Sequence, residues 1–187
     1  MRGLATLAIL LATGVGAQTV PPVDHDLASL GFLVGDWVAD PRPGEGSGHF
    51  EFRFELQGKI LVRRNHAELV ATKRRSAGTH DDLMVVFSEG APALIRADYF
   101  DSEGHVIRYV VEVVAKKRAT FLSEESPGTP RFRLSYVALA DGGLRGKFKV
   151  APPGKPGDFA GYLDWTARRV KNLSPGVELN PEQRDRP

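Results

Sequence analysis

No cysteine occurs anywhere in the 187 residues. That absence excludes a disulfide framework, thiolate metal ligands, a thiol nucleophile and thiol lipidation, and it leaves stability to the core alone. Past the first 17 residues no apolar run approaches the ~20 residues needed to cross a bilayer. No stretch carries the apolar periodicity of a long amphipathic helix, and no segment repeats at a fixed period, so bundles, propellers and solenoids are not indicated. An excess of one charge is missing too: 25 basic residues face 23 acidic ones. The clusters Lys73-Arg74-Arg75 and Lys116-Lys117-Arg118 have no aromatic residues between them and read as solvated loop tips, so no nucleic-acid partner is expected. A Gly-x-Ser-x-Gly elbow is absent, and Gly44-x-Gly46-x-Gly48 leads into a strand rather than a phosphate-binding helix. The five histidines, His25, His49, His66, His80 and His105, are dispersed. No two stand at ligand spacing on one element, so neither a metal nor a cofactor is expected. The nearest grouping is His80-Asp81-Asp82, in which only His80 and Asp82 share a strand face.

What is present begins with Arg2, an apolar stretch from Leu4 to Ala12, and small residues at Val15 and Ala17 ahead of Gln18. This is the pattern of a secretory signal over residues 1–17. Its removal leaves 24 basic against 23 acidic residues, and the product is expected to be exported, either periplasmic or secreted, with no membrane span. Residues 18–170 are enough for one domain. Residues 171–187 are proline and charge with little to bury, and a disordered tail is expected there.

Within the domain, Asp24 to Leu30 predicts a short helical turn capped by Asp24 and ended by Gly31. Phe32 to Trp37 then reads as a first strand. Asp40 to Gly48 has loop composition. Phe50, Phe52, Phe54 and Leu56 alternate with Glu51, Arg53 and Glu55, which is the period of a half-buried strand. Further strands are predicted over residues 59–69, 83–87, 93–100, 105–114, 120–124, 131–139, 144–151 and 159–169, separated by Gly-, Pro- and Asp-rich links. The sum is an all-β chain, an antiparallel up-and-down barrel of about ten strands with a short N-terminal helical turn. Closure is preferred over an open sandwich because it removes the sheet edges that an unstapled exported protein must otherwise protect.

Gly35-Asp36-Trp37 on the first strand, with Arg168 and Arg169 at the end of the last, resembles the calycin superfamily of lipocalins, fatty-acid-binding proteins and nitrobindins. The opening Leu-Gly-Phe-Leu-Val-Gly-Asp-Trp is most similar to bacterial lipocalin-like families of unassigned role. The resemblance implies that Trp37 closes one end of the barrel under a guanidinium from Arg168 or Arg169. It implies neither haem, since no histidine follows His105, nor the Arg-x-Tyr carboxylate reader of fatty-acid-binding proteins, which the last strand lacks.

The candidate site residues come from register. A plain type I turn over Asp101–Gly104 sets Tyr99 opposite Val106, Ala97 opposite Arg108 and Arg96 opposite Tyr109. One face is then apolar except for Arg108. Turned inward, that face makes Arg108 a lone buried cation that needs either an acidic ligand head group or a carboxylate such as Glu112. Tyr99 shares that face; Arg96 and Tyr109 share the other. Arg64, His66 and Glu68 alternate on the strand 59–69 and line either a polar cavity or a solvated outer face. The expected function is interior binding of a small, partly apolar ligand, with Arg108, Arg64, His66, Tyr99, Arg96 and Tyr109 as contacts. An isomerase or hydrolase using His66 or His105 beside a carboxylate is one alternative. A module that binds a protein or polymer through the outside of a filled barrel is another.

Overall fold

The computed structural model describes residues 26–40, 46–71, 76–90 and 93–170, together with the backbone of Val23–Asp24. The signal sequence expected over residues 1–17, the tail expected to be disordered over 171–187 and the Lys73-Arg74-Arg75 cluster lie outside the described residues.

A 3-10 helix over Leu27–Leu33 precedes the main strands. Leu27, Leu30 and Leu33 recur every third residue and are all buried. That spacing stacks them along one side of a helix with three residues per turn, which explains why this run is 3-10 rather than α. The helix therefore extends past Gly31 and takes in Phe32 and Leu33, residues expected to open the first strand. Its cap is Asp26 rather than Asp24: the Asp26 side chain accepts from the Ala28 N–H at 3.0 Å.

The strands are β1 (Val23–Asp24), β2 (Gly35–Ala39), β3 (Ser47–Glu55), β4 (Ile60–Leu69), β5 (Gly78–Glu89), β6 (Leu94–Asp101), β7 (Val106–Val114), β8 (Arg118–Ser123), β9 (Arg131–Ala138), β10 (Leu144–Ala151) and β11 (Ala160–Arg169). Each of β2 to β11 pairs antiparallel with its successor, β11 returns to β2, and β1 adds two residues beside the end of β7. The result is a closed, ten-stranded, up-and-down antiparallel barrel. The seam between β11 and β2 is short, with Ala167, Arg168 and Arg169 opposite Ala39, Val38 and Trp37. Backbone bonds from Asp40 N–H to Thr166 O and from Val170 N–H to Asp36 O, both 2.8 Å, extend it at either end.

The alternation gives the barrel two unlike ends. The 3-10 helix and the hairpin links at Leu56–Gly58 and 115–117 lie at one; we call it the plugged end. The strand ends at Ala39, Ser47, Leu69 and Gly78 and the links 102–105, 124–130 and 152–159 lie at the other, the loop end. Toward the plugged end the interior is aromatic and aliphatic: Trp37, Phe52, Leu61, Val86, Val111, Phe121 and Tyr136 are all buried with Leu30 and Leu33. The rings of Phe50, Phe52, Phe121 and Trp165 surround Tyr136 at 5.6–6.2 Å between centroids. Trp37 donates its Nε1–H to Leu33 O at 2.8 Å, so the indole is both packed and satisfied.

One register differs from expectation. Across β6 and β7 Ala97 faces Tyr109, Asp98 faces Arg108 and Tyr99 faces Ile107. Gly104, at φ +88°, adds a residue to the hairpin beyond the plain turn, and Asp101 closes the loop by accepting the Gly104 N–H at 3.0 Å. A slip of one residue reverses every side chain of the strand. Tyr109, Val111 and Val113 therefore point inward and are buried, whereas Arg108 points outward and is exposed.

Candidate functional site

The polar half of the interior faces the loop end and is built by β4, β5 and β6. On β4 the inward positions are Leu61, Arg63, Asn65 and Ala67; on β5 they are Val86, Met84, Asp82 and His80; on β6, Ile95, Ala97, Tyr99 and Asp101. The β5 and β6 rows run from apolar to polar as they approach the loop end, and the β4 row is polar at Arg63 and Asn65. The opposing wall, from β7, β9, β10 and β11, is apolar, with partly buried Ile107, Phe132, Phe148 and Trp165 packed against the core. Phe132 and Phe148 stack at 5.8 Å.

Arg63 is the deepest of the polar groups, with its side chain only 7% exposed, and it pairs with the equally buried Asp82 through Nη1 and Oδ1. The guanidinium also lies 5.6 Å from the Phe50 ring centroid. Asn65 Nδ2 donates to Asp82 Oδ2 at 2.9 Å. His80 Nε2 stands 3.4 Å from the same oxygen and 3.2 Å from the Tyr99 hydroxyl. His80 Nδ1 meets both carboxylate oxygens of Glu103, at 2.9 and 3.0 Å. Asp101 is held by its own loop: Oδ1 accepts the Glu103 and His105 N–H groups at 3.1 and 2.9 Å, and Oδ2 faces His105 Nδ1 at 2.9 Å.

Burial dominates the electrostatics here. It pushes the Asp82 carboxyl above the usual carboxylate range, and Arg63, His80 and Asn65 only partly oppose it. It drives the Tyr99 and Tyr109 phenols far up and the Tyr136 phenol to about 12, with Arg63 pulling against it in each case. For Arg63, burial favours loss of the proton, but the surrounding phenols and Asp82 outweigh it and the guanidinium is held charged. Burial would also raise Asp101, yet the His105 and Glu103 hydrogen bonds win and hold it low. Among the described residues, the Arg63 Nε and the Tyr136 hydroxyl have no hydrogen-bond partner of good geometry; both are fully buried, and Arg63 and Tyr136 lie close enough to act on each other.

Most of the residues expected to contact a ligand lie elsewhere. Arg108 is outside for the reason of register given above. Arg64 is on the outer face of β4, paired with Glu55 at 2.9 Å and Glu51 at 3.5 Å. His66 shares that face, 2.7 Å from Asp81. Arg96 is outside on β6, paired with Glu89 and, at 2.8 Å, with Glu124. Tyr99 and Tyr109 point inward, one beside His80 and the other buried against Phe121. At the plugged end the Arg169 guanidinium lies 4.4 Å from the Trp37 ring and donates to Val34 O. Arg168 turns outward to Asp40 at 3.1 Å.

The residues that do converge, Arg63, Asn65, His80, Asp82, Asp101 and Glu103, went unselected except for the His80–Asp82 pair. A signal was available: Arg63 and Arg64 are adjacent on a strand, so one of them has to face inward. The architecture is thus of a definite class, a closed antiparallel barrel with one plugged apolar end and one polar mouth. No family model matches the chain, and no curated protein matches it.

Proposed function

We propose that this chain is an exported calycin, related to the bacterial lipocalin-like families, that binds a small, partly apolar molecule in the loop-end half of its barrel. The observation that carries the reading is the buried Arg63. A guanidinium inside an apolar barrel costs several kcal/mol unless polar groups surround it. Asp82, itself steadied by Asn65, accounts for one side of it, while Nε and the Tyr136 hydroxyl beside it, which make no hydrogen bond of good geometry, offer donors to an acceptor atom of a ligand. The wall of Ile107, Phe132, Phe148 and Trp165 would take the apolar part, with Tyr99 and Tyr109 beside the polar part. Export, to a periplasm or to the medium, rests on the pattern of residues 1–17, and the family reading rests on Gly35-Asp36-Trp37 and the Arg169 stack.

Native mass spectrometry of protein purified from its source is expected to show a bound small molecule. An amphiphilic probe, 1-anilinonaphthalene-8-sulfonate, is expected to bind once per barrel and to quench Trp165. Arg63→Gln and Tyr136→Phe should each weaken the probe at least tenfold. Tyr136→Phe removes only a hydroxyl, so it remains informative where Arg63→Gln fails to fold. An empty barrel together with unchanged probe affinity in Tyr136→Phe overturns the reading.

A second reading, an isomerase or hydrolase on the same barrel, is favoured by His80 rather than by the histidines first considered. His80 has Glu103 on one nitrogen and Tyr99 with Asp82 on the other, the arrangement of a general acid and base. His66 lies outside the barrel and His105 is 67% exposed. Turnover of an ester or keto-acid panel that is abolished by His80→Gln, with ligand binding retained, would establish it.

A further inference from the structure

The geometry points to a divalent transition-metal site at the loop end of the barrel, with His80 Nδ1 and the carboxylates of Asp101 and Glu103 as ligands. One ligand atom from each of the three lies within 4.8 Å of the others. One nitrogen and two carboxylate oxygens suit Zn2+ or Mn2+, not Ca2+ or Mg2+, which favour all-oxygen shells, and not Cu(I), which favours sulfur. The inference does not depend on the ligand-binding reading, since it concerns the rim of the mouth rather than the interior.

Two independent features support it. The first is the orientation of the imidazole. A metal-binding histidine commonly donates its other ring N–H to a carboxylate, which fixes the ring and raises the basicity of the ligating nitrogen. His80 turns Nδ1 to Glu103 and presents Nε2 toward Asp82, 3.4 Å away, and the Tyr99 hydroxyl at 3.2 Å. Asp82 is itself held by Arg63 and Asn65. With its one proton on Nε2, toward Asp82, a neutral His80 presents the Nδ1 lone pair to Glu103, which is where a cation would be held. The second feature is charge. Arg63 supplies one positive charge against the carboxylates of Asp82, Asp101 and Glu103, and the side chains of Asp82 and Asp101 are 4% and 5% exposed. With the His80 and His105 imidazoles neutral, a divalent cation neutralises the excess of two. His105, whose Nδ1 faces Asp101 Oδ2 at 2.9 Å, is positioned either to steady that carboxylate or to complete the coordination.

The local sequence conceals this site. His80 lies on β5, and Asp101 and Glu103 more than twenty residues later, at the end of β6 and in the following loop. Only the β5–β6 pairing, which sets Asp82 opposite Asp101, brings them together.

The test is calorimetric titration of the untagged protein with ZnCl2, MnCl2 and CaCl2. One Zn2+ is expected per chain with micromolar affinity or tighter, with Mn2+ weaker and Ca2+ without effect. His80→Gln and Glu103→Gln should each weaken Zn2+ at least tenfold, and Asp82→Asn about tenfold through loss of the outer contact. His66→Gln is the control: with Asp81 and His49 nearby, it marks the other group on this surface able to attract zinc. The tryptophan spectrum of each variant reports whether the barrel is intact. No binding at 1 mM Zn2+, or binding lost in His66→Gln and kept in His80→Gln, overturns the proposal.

Discussion

Gly146 and Trp165 face each other across β10 and β11, and the indole lies on the space a side chain would need. A Cβ at position 146 would come within 2.2 Å of the Trp165 ring. The ring is not free to retreat, since its far side meets Tyr136 edge-on at 6.0 Å. Gly146→Ala should therefore destabilise by about 1–3 kcal/mol, the usual range for overpacking a closed core. At roughly 2–4 °C per kcal/mol for a domain of this size, a fall of several degrees in the thermal midpoint is expected. Trp165→Leu, which makes room, should reduce that penalty in the double variant; if Gly146→Ala melts with wild type, the ring does not press on this glycine. Arg63 illustrates the same point for charge. It is held by the buried Asp82, which Asn65 in turn steadies, and it lies over the Phe50 ring.

At the scale of strands and turns, period-two alternation carried most of the information. The run Phe50, Phe52, Phe54 and the Val-rich stretch of β7 mark strands whose observed limits fall within a few residues of those expected, because a half-buried strand has to alternate. Register was not legible to the same degree. The β6–β7 link looks like a four-residue turn until Gly104 adds its residue, and that one residue moves Arg108 from the inside to the outside. The candidate site shared this weakness: its members lie on β4, β5, β6 and one loop, and which side of each strand faces in is decided by the whole barrel. The trigonal rhythm of Leu27, Leu30 and Leu33 was visible, but it was broken at Gly31 on the assumption that glycine ends a helix. Another turn yields a prediction. At the β7–β8 hairpin Ala115 and Lys116 both adopt φ +52°, a left-handed conformation that costs an L-residue roughly 1–2 kcal/mol. Lys116 is exposed and, among the described residues, makes no ion pair, so only the backbone cost is at stake. Lys116→Gly should relieve the strain, less the extra entropy of glycine in the unfolded chain, for a net stabilisation of about 0.5–1 kcal/mol. A higher urea midpoint at unchanged slope is the expected result.

Over the whole molecule, the unlike ends of the barrel set how it responds to acid. The plugged end is apolar, closed by the stack of Arg169 on Trp37. The carboxylates that matter are at the loop end and on the outer face. Asp101 is held below the ordinary range: burial would raise it, but the His105 and Glu103 hydrogen bonds prevail. Asp164 is lowered to about 2 by the Arg145 hydrogen bond, with Lys147 adding to it. Groups with depressed values stabilise the fold above their unfolded value of about 3.9 and lose that contribution as the pH falls through the folded value. Asp82 has the opposite sign. Raised by burial, it favours the folded state below its unfolded value, and this contribution is lost as the pH rises through its folded value. Acid unfolding should therefore set in below pH ~4, steepen toward pH 2, and be softened by Asp82. In a paired Asp101→Asn, Asp164→Asn variant the first two contributions are absent at every pH. Its urea midpoint should be lower than wild type at pH 7, approach wild type near pH 2, and change less between those limits. An acid limb as steep as that of wild type would place the pH dependence in other carboxylates, and with it remove the argument that the Asp101 loop is held together by its ionised side chain.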